Sequence, residues 1–298
     1  MFLRPVHDFV SGFCYTDVSV TRISMPKKIP VHSARWMLPV LYFVAGISTI
    51  ALVRTAPTTI AQNAAWLPLW QYVVLALFAG VMIFAILRRA QSRVLWEVLF
   101  TIAIFLGVWY VLLLLRIPLG VSLFAAALLT IMHLFIHIAA YHNFFFLLGS
   151  IGAAIIFSSW LPSEGVLIVL VAFTVYDMVA GPPGGPIERL AKRLVSLGFI
   201  PGFALPERVR GLALELDDIR NGGWVLLGTG DVILPLTLVA SASVWSASSG
   251  AVVVLGTLFG SLILIARPDM HPRAALPPLA AGAAVPFLIL LFSRVFIF

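Results

Sequence analysis

The chain has 298 residues, of which 61% are hydrophobic and only 10% charged, and its mean hydropathy is +1.08. A water-soluble domain carries about a quarter charged residues and is about half apolar, so this composition excludes an ordinary soluble enzyme and places the chain in lipid. The single cysteine, Cys14, excludes an internal disulfide framework and a thiolate cluster built by one chain; the net charge of +7 lies beside apolar runs instead of on one basic module, which excludes nucleic acid as a partner.

Residues 1–35 are mixed and polar and lack the pattern of a cleavable signal peptide, so they read as a tail. A spanning helix needs about 20 mostly apolar residues to cross roughly 30 Å of hydrocarbon. Nine runs meet that requirement: Trp36 to Val53, Leu67 to Leu87, Val94 to Leu115, Leu119 to Tyr141, Asn143 to Trp160, Gly165 to Ala180, Gly222 to Val239, Ala251 to Ile265 and Ala275 to Phe296. They are too long and continuous for barrel strands, and a lipid-exposed backbone must satisfy its own hydrogen bonds. The expected fold is therefore an all-α polytopic membrane protein of about nine transmembrane helices. Its parts are a tail over 1–35, six spans within 36–180, a loop over 181–221 and three spans within 222–298.

Sixteen of the nineteen Lys and Arg residues fall in the tail and in the loops after spans two, six and eight. By the positive-inside rule that face is cytoplasmic, with the N-terminus and the long loop inside and the C-terminus outside, as an odd number of spans requires. The loop opens with Gly181-Pro182-Pro183-Gly184-Gly185-Pro186, which no helix crosses intact. In Ile187 to Leu197 the apolar Ile187, Leu190, Leu194 and Leu197 share one face and Glu188, Arg189, Lys192 and Arg193 the other, the pattern of a short helix lying at the membrane surface.

Nine of the twelve acids sit in the tail or in loops, and Glu97 lies near a span end. The remaining two, Asp177 in span six and Asp231 in span seven, stand where a charge costs on the order of 3 kcal/mol or more unless neutralised, paired or wetted. No intramembrane Lys or Arg is available to pair with them, which favours a functional role over a packing contact. Two carboxylates brought together share a proton, and that is the condition for one to act as general base on a water while the other polarises a carbonyl. At about 1.5 Å per residue, Asp177 lies roughly one turn from the loop and Asp231 about two turns in, an offset that irregular helix ends or a wet cavity must absorb.

Tyr176-Asp177 on one span and Gly228-Thr229-Gly230-Asp231 on the next resemble the YD and GxGD motifs of the presenilin and signal peptide peptidase family, and the continuation to Pro235 is similar to GxGDxxxP. The resemblance covers most of the architecture and implies an intramembrane aspartyl endopeptidase with Asp177 and Asp231 as catalytic pair and no cofactor. It further implies a substrate-binding role for Tyr176, Gly228, Thr229, Gly230 and the counterpart of the family's PAL element, here Pro277-Pro278-Leu279 with Pro in place of the central Ala. Thr229 also departs from the bulkier apolar residue frequent at its position. Independently of any family, Gly228 and Gly230 remove bulk where a backbone would approach Asp231, and consecutive prolines free carbonyls that an extended substrate could use; close helix packing and a plain proline helix start account for the same residues without a substrate. The prepilin peptidases share GxGD, but there a Lys typically follows closely, and none follows Asp231 here.

His133 and His137 share a face at i, i+4, with His142 nearby, but position 134 is Leu where a His-Glu-x-x-His metalloprotease needs its base, so no metal is expected. Gly149-Ser150-Ile151-Gly152 and Ser248-Ser249-Gly250 make no serine protease motif. A proton-coupled transporter or channel using the same two acids is the alternative of a different class. The expected partners are transmembrane peptide or leftover signal peptide substrates and the lipid bilayer, with homo-oligomerisation left open; the location is integral and multi-pass, in the cell membrane if the source is microbial.

Overall fold

The computed structural model describes residues 36–55, 93–181, 185–196, 199–206, 209–214, 216, 224–266 and 275–297. The tail over 1–35 and the expected second span, Leu67 to Leu87, lie outside the described residues. Nine α-helices are found among the described residues: α1 (Met37–Thr55), α2 (Arg93–Leu114), α3 (Leu119–Phe135), α4 (Ala139–Trp160), α5 (Ser163–Ala180), α6 (Pro186–Ser196), α7 (Thr229–Trp245), α8 (Ala247–Ala266) and α9 (Leu276–Ile297). Strands β1 (Gly202–Pro206) and β2 (Trp224–Gly228) form a two-stranded sheet, with a 3₁₀ turn at Val209–Ala213. Among the described residues six helices are long and apolar enough to cross a bilayer, and α3 and α7 are shorter apolar helices. The chain is an integral, multi-pass helical membrane protein. Its large exposed apolar side chains, among them Phe124, Val179 and Phe259, are the lipid-facing surface such a bundle requires.

Two expected spans are corrected. The run from Leu119 to Tyr141 is not one helix. It stops at Phe135, and the residues after it are extended and pair with the loop, where Leu216 N–H donates to His137 C=O and Ala139 N–H to Leu214 C=O. The backbone there satisfies itself sideways before α4 starts. The run from Gly222 to Val239 begins as β2, pairing antiparallel with β1 in the register Gly202 to Gly228 through Pro206 to Trp224, and turns helical only at Thr229. A short apolar run bounded by glycines has no periodicity that separates strand from helix. The expected short helix of the loop is present as α6, where Glu188 and Lys192 pair at i, i+4.

Helix α7 is the hub. Every residue from Leu236 to Ser243 is buried, and it packs against α1, α4, α5, α8 and α9. One apolar core joins α1, α2, α4, the sheet and the start of α7; a second joins α5, α7, α8 and α9. Bare backbone contact sets the α2 and α4 crossing: a Cβ at Gly152 would stand 2.0 Å from the Gly107 carbonyl oxygen. This is the small-residue approach by which membrane helices gain close van der Waals contact.

Candidate active site

Asp231 occupies the third position of α7, whose N-cap is Gly228. Its carboxylate folds back onto the Gly228 N–H, which is one half of a capping box, and it lies at the end of the helix where the macrodipole favours negative charge. A Cβ at Gly228 would stand 3.2 Å from Asp231 Oδ2, so glycine there leaves the carboxylate its room. Around Gly230 an added Cβ meets nothing within 4 Å, and open space therefore borders the acid. Thr229, at the first helical position, is half-buried.

Pro235, four residues on, lacks the N–H that would close the helical bond to the Asp231 carbonyl. The Tyr42 hydroxyl of α1 fills that vacancy, donating to Asp231 O at 2.9 Å. A buried hydrogen bond contributes about 0.5–1.5 kcal/mol, so Tyr42→Phe is expected to lower kcat roughly three- to tenfold. Adding Pro235→Ala restores the backbone donor and is expected to recover part of that loss; a double-mutant cycle in purified protein, with additive effects as the contrary result, checks the pairing.

Asp177 is three residues from the end of α5, and its C=O accepts the Gly181 N–H that closes the last turn. That end of its own helix disfavours a negative charge. The start of α9 compensates, because the Leu276 N–H donates to Asp177 Oδ2 at 3.3 Å. The next two residues, Pro277 and Pro278, have no N–H, which leaves Leu276 as the donor at that tip. The two carboxylates lie within reach of each other's charge, and neither has an ion-pair partner among the described residues. Counted from the helix ends, the offset expected from the sequence disappears: with the helix starting at Thr229, both acids sit within one turn of a helix end.

The other expected site residues are distributed unevenly. Tyr176 is 44% exposed, and its hydroxyl makes no hydrogen bond among the described residues. Pro277 is half-buried, while Pro278 and Leu279 are buried, the Pro278 carbonyl lying against Gly260 of α8. Among the described residues no group of three or more His, Cys, Asp or Glu could hold a metal. His133 and His142 do approach, with ring centroids 5.3 Å apart, but as packed rings. Tyr42, Leu276 and strand β1 were not found by sequence reasoning; only Pro235, as a donor missing from an apolar helix, signals that a distant hydroxyl is needed.

A family model described as signal-peptide peptidase, presenilin aspartyl protease matches residues 40–295. The chain belongs to that family. It is thus an intramembrane aspartic endopeptidase, and the transporter alternative falls away. Two solved structures of a presenilin family intramembrane aspartate protease, in space groups C222 and P2, align with 23% identity over 85% of this chain and 95% of theirs. Their TM-scores of 0.55 and 0.53 show a shared fold. No curated protein matches the chain.

Proposed function

We propose that Asp177 and Asp231 are the catalytic pair of this family member and that it hydrolyses peptide bonds within transmembrane segments or remnant signal peptides. The observation that carries the reading is the meeting of two acids, each held by a backbone N–H and neither by a cation, where α5 ends and α7 begins. With one proton shared, the ionised carboxylate removes a proton from water as its oxygen attacks the scissile carbonyl. The protonated one hydrogen-bonds the carbonyl oxygen, and when the C–N bond breaks a proton passes to the leaving amine.

Substrate presentation follows from the sheet. β1 is wholly buried, whereas β2 exposes Val225 and Leu226. Among the described residues β2 pairs with β1 alone, and an unwound substrate therefore adds to its other edge, in the strand that runs straight into Asp231. The substrate is a membrane-embedded peptide because the pair lies among apolar helices, and the excess of Lys and Arg in the adjoining loops supports a cytoplasmic position for that end of the bundle. A hydroxyl-bearing peptide mimic of the tetrahedral intermediate tests the reading: it should compete with a single-span peptide for wild type and lose affinity about 10²-fold or more for Asp177→Ala. Equal binding to both proteins would contradict it.

A further inference from the structure

Strand β1 has two neighbours. One edge pairs with β2, and the other is closed by side chains of α4. Asn143 donates from Nδ2 to Ala204 O at 2.7 Å and accepts the Ala204 N–H on Oδ1 at 2.8 Å. A side-chain amide carries the same donor and acceptor as a peptide unit, so Asn143 stands in for one residue of a third strand. Beside it, buried His142 donates from Nε2 to Gly202 O at 2.8 Å; because the partner is a carbonyl, that nitrogen carries the proton.

These bonds fix which residues face which way. Along an antiparallel strand, successive residues direct their N–H and C=O alternately to the two sides. With Ala204 turned toward Asn143, Phe203 and Leu205 make the ladder bonds to their partners Leu227 and Val225. By the same alternation Leu226 directs its N–H and C=O to the edge away from β1, which has no partner strand among the described residues. Gly228 likewise keeps its N–H out of the ladder, free for the Asp231 carboxylate. A slip of one residue would invert this pattern, draw the Gly228 N–H into the ladder and strip Asp231 of its partner. Gly202 fits the same register closely, since a Cβ there would stand 2.1 Å from the Leu227 carbonyl oxygen.

We propose that His142 and Asn143 are positioning residues that lock the register of the β1–β2 sheet, and thereby determine which peptide bond of a substrate lying on β2 reaches the aspartate pair. The proposal rests on the protease reading above. Neither residue touches the substrate or the carboxylates; both act through β1, and β1 through β2. A merely structural role would lower stability and leave the cleaved bond unchanged, so the position of cleavage separates the two.

The experiment is mass spectrometry of the products of one single-span peptide, cut by purified wild type, Asn143→Leu, Asn143→Asp, His142→Leu and His142→Gln. Asn143→Leu and His142→Leu are expected to move cleavage by one or two residues along the peptide and to lower kcat about tenfold or more at little change in KM. His142→Gln, which keeps a donor, should lie nearer wild type than His142→Leu, and Asn143→Asp, which keeps only the acceptor, between Asn143→Leu and wild type. If the leucine variants do not fold, the conservative pair carries the same comparison against wild type. Unchanged cleavage positions in every folded variant, whatever the change in kcat/KM, would overturn this proposal alone. A wild type that cuts no membrane peptide would overturn the protease reading and this proposal with it.

Discussion

Asp231→Glu is expected to fold as well as the natural protein and yet to lose cleavage by a factor of about 10² or more. The two halves of that expectation have different physical sources. Glutamate at the third helical position is the residue that usually completes a capping box, so the bond to the Gly228 N–H survives and the start of α7 remains satisfied. The added methylene, however, moves the carboxylate by about 1.5 Å relative to Asp177, and misplacement of a reacting group by about 1 Å already costs on the order of 10² in rate. Thermal unfolding in detergent and kcat/KM on one peptide, measured on the same preparation, check both halves. Cleavage within about threefold of wild type would mean that the placement of the Asp231 carboxylate does not limit the reaction.

The second large effect is expected at a residue that touches neither acid. A Cβ at Gly260 of α8 would stand 2.3 Å from the Pro278 carbonyl oxygen and 3.1 Å from the Leu279 Cα. Both are backbone atoms, so no side-chain rotation relieves the clash and Gly260→Val must push the first turn of α9 away. That turn carries the Leu276 N–H that holds Asp177. Overpacking of this kind costs typically about 1–3 kcal/mol in stability. Activity is expected to fall further than stability explains, by about tenfold or more, because Asp177 loses its donor. Gly256→Ala supplies the comparison: a Cβ there would stand 2.1 Å from the Gly282 carbonyl oxygen in the same crossing, but farther along α9 from Leu276. It should destabilise similarly with a smaller loss of kcat, and equal activity losses in the two variants would place the effect in general packing.

What the sequence carries and what it hides divide along the range of the interactions. The membrane helices are legible because hydropathy over about 20 residues is a local property, and the two acids stand out against it because lipid makes any charge conspicuous. The start of α7 is not legible locally, since Trp224 to Leu227 is as apolar as a span and only its pairing with Phe203 to Pro206, some twenty residues earlier, makes it a strand. The end of α3 is hidden for the same reason, its extended exit being paired to Leu214 and Leu216. The partners of the acids were the least legible. Tyr42 meets the Asp231 backbone across 189 residues of chain, Leu276 meets Asp177 across 99, and Asn143 meets Ala204 across 61. Nothing in the neighbourhood of Tyr42 or Asn143 distinguishes a hydroxyl or an amide that packs from one that holds a strand or a helix end. Pro235 is the exception, because a proline in the interior of an apolar helix leaves a carbonyl in need of a donor.

The central claim is that Asp177 and Asp231 act together on a peptide bond, and purified wild type, Asp177→Ala and Asp231→Ala, each reconstituted with one single-span peptide, test it most directly. Wild type is expected to yield two fragments that mass spectrometry places at a bond within the span, and each alanine variant to lose at least about 10³-fold in rate while unfolding at a temperature close to wild type. Cleavage by either folded variant within about tenfold of wild type would contradict the account, because a pair that works through one shared proton cannot work with one member.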